Sequence, residues 1–178
     1  LSSHQRYMID HDIQMGQKFR ILYYDIETDD RQTGIEIGRD QIISFAAYDP
    51  LEKKTYYKST TNEKGLLKAM LKLFGQFDVI IGWNSEGFDL PYIRKRANLH
   101  GLRDELYQLM GVQSMDLMKK FQETYGRDTD MVRKFRSFKL NDVANHFLGI
   151  GKIERGSTWK MFVNDQAKLK EYNIRDVQ

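Results

Sequence analysis

Two carboxylates, Asp25 and Glu27, stand two residues apart at the end of an apolar and aromatic run that begins at Ile21. Side chains alternate between the faces of a β-strand, so a strand here would place both carboxylates on one face. Adjacent carboxylates repel each other, and a divalent cation with oxygen ligands, Mg²⁺ or Mn²⁺, relieves that repulsion. The pair therefore predicts a metal site. The alternative is a strand that runs into a solvated acidic turn, since Asp29 and Asp30 follow directly.

Two further carboxylates stand where secondary structure could bring them to the same place. Asp89 ends the pattern Asn-x-x-x-Phe-Asp, which begins at Asn84 and lies where a short apolar strand gives way to a predicted helix. Asp176 follows Tyr172 by four residues, so the two side chains are neighbours on one helical face. Taken singly, Asp89 also suits a helix cap, and the second pair suits an amphipathic tyrosine beside a surface carboxylate. The ordered combination of the three motifs favours a shared site.

The elements that must position these residues are predicted from periodicity and turn signals. The predicted strands lie at 21–28, 41–48, 54–59, 78–83 and 115–118. Apolar residues at helical spacing predict helices from near Asp89, around Phe121 and Tyr125, over 140–148, and from near Asn164. A further helix is predicted with Asn62 as its cap and with apolar positions at Leu66, Leu67, Met70, Leu71 and Phe74. The first three strands suit an antiparallel meander, and the later alternation of strands with helices predicts an α/β fold with a mixed sheet flanked by helices.

Composition limits the class of protein. A chain of 178 residues with 40% hydrophobic content is long enough for one domain with a sizeable core. It has no cysteine, which excludes disulfides and zinc–thiolate sites, and its formal charge of +3 permits nucleic-acid binding without requiring it. No apolar run reaches membrane-spanning length and no signal-peptide pattern is present, which predicts an intracellular, cytoplasmic protein without a membrane partner. The histidines at 4, 11, 100 and 146 lack ligand spacing and are predicted to be surface or packing residues.

The chain is expected to divide near residue 20. Residues 1–19 show no clear period and are interpreted as an N-terminal arm or the end of a preceding segment, and residues 20–178 are interpreted as one domain. The sequence ends two residues after Asp176, inside a helical pattern, so we expect a piece of a longer protein.

A basic stretch over 127–139 is interleaved with aromatic residues. Its side chains Arg133, Arg136 and Lys139 are weak candidates for phosphate contacts, with aromatic residues stacking on bases. A solvated loop is the alternative interpretation.

Together, the three motifs resemble the DEDD exonuclease superfamily in its tyrosine-bearing branch, and they are most similar to the proofreading domain of family B DNA polymerases. The segment 82–93, GWNSEGFDLPYI, resembles the second exonuclease motif of T-even-type bacteriophage polymerases, which are virus-encoded. The segment 137–144, SFKLNDVA, is similar to the one that precedes the third motif in that family. The resemblance spans roughly residues 20–178. It implies an RNase H-like fold and metal-dependent 3′→5′ removal of nucleotides from DNA.

The resemblance also implies roles for five side chains. Asp25 would bridge two divalent cations, Mg²⁺ or Mn²⁺. Glu27 and Asp176 would ligate the cation that activates water, and Asp89 would serve the cation on the leaving-group side. Tyr172 would orient the attacking water, because a phenol is a poor base at neutral pH.

Substrate contacts follow from the same resemblance. Thr28, Asn84 and Phe88 would hold a single-stranded DNA 3′ end, Asn84 by hydrogen bonding and Phe88 by stacking, although Phe88 equally suits a core position. The expected partners are this DNA end and the rest of a DNA polymerase chain. Two alternatives stay open: a free-standing exonuclease or ribonuclease of the same superfamily, and a single-strand-binding module with a silent site.

Overall fold

The computed structural model describes residues 19–126, 137–150 and 156–178. Its strands are β1 Ile21–Thr28, β2 Ile42–Asp49, β3 Lys54–Ser59, β4 Val79–Gly82 and β5 Gln113–Asp116. Its helices are α1 Glu63–Phe74, α2 Asp89–Leu99, α3 Arg103–Tyr107, α4 Leu117–Tyr125, α5 Leu140–Leu148, α6 Thr158–Asn164 and α7 Gln166–Arg175. In these ranges, no helix is both long enough and apolar enough to cross a membrane.

The strands form a mixed sheet in the order β3-β2-β1-β4-β5. The pairs β1–β2 and β2–β3 are antiparallel, and the pairs β1–β4 and β4–β5 are parallel. The predicted meander and mixed sheet are therefore confirmed. Because β1, β4 and β5 run in the same direction, their carboxyl ends meet at one edge of the sheet, and the loops that follow them are neighbours there.

The two faces of β1 have different surroundings. Leu22, Tyr24 and Ile26 lie in the main hydrophobic cluster with α1 and α2. The alternate residues Asp25 and Glu27 therefore leave the opposite face, the side on which α6 and α7 pack. A second, smaller cluster secures those two helices; it comprises Ile43, Met161, Phe162, Leu169 and Tyr172.

Helix α1 shows how closely local pattern and structure agree. The side chain of Asn62 accepts a hydrogen bond from the Gly65 N–H at 3.0 Å, which confirms the predicted cap. The predicted apolar positions are all fully buried: Leu66, Leu67, Met70, Leu71 and Phe74. Each such side chain contributes about 1.5–3 kcal/mol when it is removed from water.

The prediction was wrong where a side chain ends one element and begins another. Strand β5 lies over Gln113–Asp116 and not over 115–118, because the Asp116 carboxylate accepts the Met118 N–H at 3.0 Å and so starts α4. The final helix begins at Gln166, after a separate helix α6 that the pattern did not predict. The side chain of Asp165 caps α7 by accepting the Lys168 N–H.

Candidate active site

The first two candidate residues leave the same face of β1, as the period-two pattern predicts. Glu27 is buried and Asp25 is partly exposed. Their cross-strand partners on β2 are small, since Asp25 pairs with Ala46 and Glu27 pairs with Ser44. Small side chains on the neighbouring strand allow α7 to approach the sheet closely, and this brings the last part of the chain to the first strand.

Helix α7 supplies the third carboxylate. Carboxylate oxygens of Asp25, Glu27 and Asp176 lie within 4.8 Å of one another. Asp176 follows the last residue of α7, where the helix dipole is negative and disfavours an added negative charge. Three carboxylates in this arrangement repel, and oxygen ligands of this kind suit a hard divalent cation. The group could therefore hold a metal ion.

Asp89 lies in the same cleft but outside this group of three. It begins α2 and is 3% exposed. Burial raises the pKa of Asp89 to about 7, the N–H groups of Asp89 and Ile26 oppose that shift by hydrogen bonding, and the nearby charge of Asp116 adds to it. A buried carboxyl with a raised pKa in a cleft is a candidate functional group.

A cleft of about 670 Å³ joins all the sequence-predicted site residues. Its walls include the four carboxylates above and also Tyr172, Thr28, Asn84 and Phe88. The structure thus brings every residue of the predicted site to one cavity.

Three of the other four residues are placed in different ways. Tyr172 is 6% exposed and packs in the smaller hydrophobic cluster. Asn84 has a φ of +57°, a left-handed conformation that a non-glycine residue adopts only when its surroundings hold it there. Phe88 lines the cleft and also packs against the main core, with its ring centroid 5.2 Å from that of Tyr92. Both interpretations of Phe88 are therefore compatible with its position.

Sequence reasoning missed Asp116, which holds the loop after β4. This carboxylate is 2% exposed and accepts the N–H groups of Asn84 at 3.0 Å and Glu86 at 3.1 Å. It fixes the strained Asn84 from the neighbouring strand. An aspartate directly after a short strand was the available signal, but the loop it would hold could not be identified from spacing.

Asp30 was also missed, having been interpreted as part of an acidic turn. Its carboxylate accepts the Ser157 hydroxyl at 2.7 Å and the Thr158 N–H at 2.9 Å, so it caps α6 from the loop after β1. The Thr158 hydroxyl donates to the Thr28 carbonyl at 2.8 Å. These bonds tie α6, and through it α7, to the end of β1. No short-range pattern could have predicted contacts between residues so far apart in the chain.

The basic stretch contributes one described cation to the cleft wall. Lys139 lines the cleft, and the carbonyl of its neighbour Phe138 accepts the Trp83 indole N–H at 3.0 Å. Arg133 and Arg136 lie outside the described residues, as does the N-terminal arm up to residue 18.

The described histidines have ordinary surroundings. His100 Nε2 lies 2.7 Å from a carboxylate oxygen of Glu63, and His146 packs edge-on against Phe147. These contacts agree with the predicted packing roles.

The chain belongs to the RNase H superfamily, whose profile matches residues 22–177. Its relatives are polymerases. A DNA polymerase of Methanocaldococcus jannaschii is 26% identical over an alignment of 185 residues including gaps, which covers 90% of this chain and 11% of the relative. The DNA-directed DNA polymerase of Enterobacteria phage T4 is 28% identical over 155 residues, which cover 70% of this chain and 16% of the relative. The chain thus spans less than a fifth of either relative.

A solved structure shows the same fold. The family B DNA polymerase from Pyrobaculum calidifontis superposes with a TM-score of 0.63 at 19% identity, over 90% of this chain and 24% of that one. The family match, the polymerase relatives and this structure together confirm the expected resemblance to family B DNA polymerases and the RNase H-like fold.

Proposed function

We propose that this chain is a metal-dependent 3′→5′ exonuclease that hydrolyses single-stranded DNA ends to nucleoside monophosphates and proofreads for a family B DNA polymerase. The observation that carries the proposal is the group of carboxylates from Asp25, Glu27 and Asp176, whose oxygens lie within 4.8 Å of one another in the wall of a cleft. The polymerase relatives support it, because they place a matching domain within much longer chains.

The donor set suits divalent cations, and we propose that it holds two of them. Asp25 lies in the group of three with Glu27 and Asp176 and shares the cleft with Asp89, so it would be the ligand common to both ions. Glu27 and Asp176 would complete the site on the side of the attacking water, and Asp89 would serve the leaving-group side. Bound Mg²⁺ or Mn²⁺ ions would neutralise the phosphate charge and lower the pKa of a ligated water.

Other side chains that line the cleft would hold the attacking water and the DNA end. The Tyr172 hydroxyl would orient the attacking water without removing its proton, because a phenol titrates far above neutral pH. Asn84, fixed by Asp116, would hydrogen-bond the terminal nucleotide. Phe88 would stack on a base or sugar, and a base is available for stacking only where it is unpaired. Thr28 would complete the contact, and this set of groups favours a frayed single-stranded 3′ end.

The decisive experiment is digestion of a 5′-labelled single-stranded DNA oligomer with Mg²⁺, with Mn²⁺ and with a chelator. We expect a ladder that shortens from the 3′ end only when metal is present. The matched variants are Asp25→Asn, which keeps the size of the side chain but removes its charge, and Asp104→Asn, on the exposed start of α3. Only Asp25→Asn should abolish the ladder, and its retention in that variant would contradict the metal assignment.

Two other outcomes would redirect the assignment. Equal or faster cleavage of an RNA oligomer would favour a ribonuclease or a free-standing exonuclease. DNA binding in chelator by a folded protein that gives no ladder in either metal would favour a binding module with a silent site.

A further inference from the structure

One buried amide connects three elements at the candidate metal site. Asn173, on α7, is fully buried, and its Nδ2 donates a hydrogen bond to Asp25 Oδ2 at 2.9 Å. Its Oδ1 accepts a hydrogen bond from the Ser44 hydroxyl, on β2, at 3.0 Å. Ser44 is also fully buried and is the cross-strand partner of Glu27. A chain of hydroxyl, amide and carboxylate therefore crosses β2, α7 and β1.

The chemistry of the three groups fixes the direction of this chain. An ionised carboxylate can only accept hydrogen bonds, so the NH₂ group of Asn173 must face Asp25. The amide oxygen must then face Ser44, whose hydroxyl is able to donate. A reversed amide would direct its oxygen at a carboxylate oxygen, so Asp25 selects this orientation, and the Ser44 hydroxyl stabilises it by donating to the amide oxygen. The amide group is held in the one orientation that supports Asp25.

The position of Asn173 on its helix explains why it can do this. Asn173 precedes Asp176 by three residues, so both side chains leave neighbouring positions on one face of α7. One of them contacts Asp25 through a hydrogen bond, and the other brings its carboxylate within 4.8 Å of the Asp25 carboxylate. The amide thus fixes the distance between the carboxylates of β1 and that of α7.

We propose that Asn173 is a positioning residue for the metal site: it binds Oδ2 of Asp25 and so directs the Asp25 carboxylate toward the cations, with Ser44 fixing the amide. The inference rests on the proposed function, because it assigns Asp25 as a metal ligand. Hydrogen bonds to a ligating carboxylate set its orientation, and their loss typically lowers metal affinity or activity by about 10- to 100-fold.

The test is direct binding of Mn²⁺ to the 178-residue chain, followed by calorimetry or by the electron paramagnetic resonance signal of free Mn²⁺. We expect Asn173→Ala to weaken Mn²⁺ binding by about 10- to 100-fold. Ser44→Ala should weaken it less, because the amide still donates to Asp25 and loses only the hydrogen bond that holds its oxygen. In the double variant, Ser44→Ala should add nothing to Asn173→Ala, since the hydroxyl acts only through the amide.

A control separates positioning from simple loss of stability. Asp49 lies at the far end of β2, is fully buried and accepts N–H groups of the following turn, including that of Leu51 at 3.0 Å. Asp49→Ala should destabilise the fold and leave Mn²⁺ affinity unchanged. A structural role for Asn173 predicts the same for Asn173→Ala, so unchanged Mn²⁺ affinity in that variant would overturn the inference.

Nuclease rates provide a second readout. The rate of Asn173→Ala should rise toward the wild-type rate as Mn²⁺ is increased, because added Mn²⁺ compensates for the weakened site. If Asn173→Ala does not fold, Ser44→Ala carries the test, and unchanged Mn²⁺ affinity in Ser44→Ala would then overturn the inference. Wild-type protein that binds no Mn²⁺ would overturn the proposed function and this inference together, whereas wild-type binding with unaltered variants overturns the inference alone.

Discussion

Buried carboxylates occur at the start of α1 and in the cleft, and the two regions balance their charge differently. Glu63, the first residue of α1, is 4% exposed and accepts hydrogen bonds from Arg96 Nε at 2.8 Å and from the Ile42 N–H at 2.7 Å. His100 also binds this carboxylate. Burial alone would raise the pKa of Glu63, but the hydrogen bonds from Arg96 and His100 hold it below its ordinary value. The protein itself supplies the groups that keep Glu63 ionised.

In the cleft, carboxylates are placed against one another. Asp25, Glu27 and Asp176 have oxygens within 4.8 Å of one another, and Asp176 adds its charge at the negative end of α7. The comparison teaches that hydrogen bonds from Arg96 and His100 keep a buried carboxylate ionised within the fold, whereas carboxylates that lie close together repel one another, and a divalent cation relieves that repulsion. Neutralising Glu63 should cost stability, and neutralising a cleft carboxylate should cost activity.

The largest effect is expected for Asp25→Asn. Loss of charge at the shared ligand should remove several kcal/mol of transition-state stabilisation, which corresponds to a rate loss of about 1000-fold or more. The variant keeps an oxygen for the hydrogen bond from Asn173, so its unfolding free energy in chelator should equal or exceed that of the wild type. Single-turnover digestion and urea unfolding measure the two quantities. A stability loss as large as the one expected for Glu63→Gln would remove the contrast between the regions.

Glu63→Gln should have the next largest effect, on stability alone. The substitution leaves the Arg96 guanidinium, whose side chain is 16% exposed, without its counter-charge, and we expect a loss of about 3 kcal/mol of unfolding free energy. The matched control is Glu105→Gln, in the more exposed pair with Lys68, which should leave the unfolding free energy nearly unchanged because solvent screens that pair. Equal losses in the two variants would show that burial of the Glu63 pair has no special role.

Metal binding should raise the unfolding free energy by a smaller amount, and this increase should depend on the cleft carboxylates. At a Mn²⁺ concentration about tenfold above its dissociation constant, binding stabilises the fold by about 1.4 kcal/mol. For a chain of this size, that raises the melting temperature by roughly 3–6 °C. Asp176→Asn should abolish the shift measured by calorimetry, and Glu63→Gln should retain it. A shift that survives in Asp176→Asn would place the ion elsewhere.

The smallest expected effect is on the pH dependence of the unfolding free energy without metal. Burial raises the pKa of Asp89 to about 7, so between about pH 4 and 7 the folded protein holds a proton that the unfolded chain releases, and the unfolding free energy falls as pH rises. The pKa of Glu63 is held low, so ionised Glu63 adds to the unfolding free energy above the ordinary carboxyl pKa. This stabilisation is lost as pH falls through the folded-state pKa. Asp89→Asn should flatten the fall in unfolding free energy between about pH 4 and 7. Glu63→Gln should reduce the loss of unfolding free energy at low pH.

Urea unfolding in chelator across this pH range measures both slopes. If Asp89→Asn left the slope of the unfolding free energy between about pH 4 and 7 unchanged, the raised pKa of Asp89 would have to be rejected.

The sequence predicted those parts of the site that depend on the local period of an element. Asp25 and Glu27 share a face because strands repeat every two residues, and Tyr172 and Asp176 share one because helices bring residues four apart together. The predicted range of β5 was wrong by two residues, because the Asp116 side chain ends that strand and caps the next helix. Propensity alone does not show which of two elements a capping residue will join.

The sequence by itself determined the candidate residues of the site, because residue type and local spacing are properties of the chain. Only the tertiary structure decided how they meet. The parallel pairing of β1 with β4 and of β4 with β5 brings Asp116 to the Asn84 loop, and the packing of α7 on the sheet brings Asn173 to Asp25. Hydrogen bonds of this kind join residues far apart in the chain, and their partners are set by the packing of strands and helices, which no local pattern specifies.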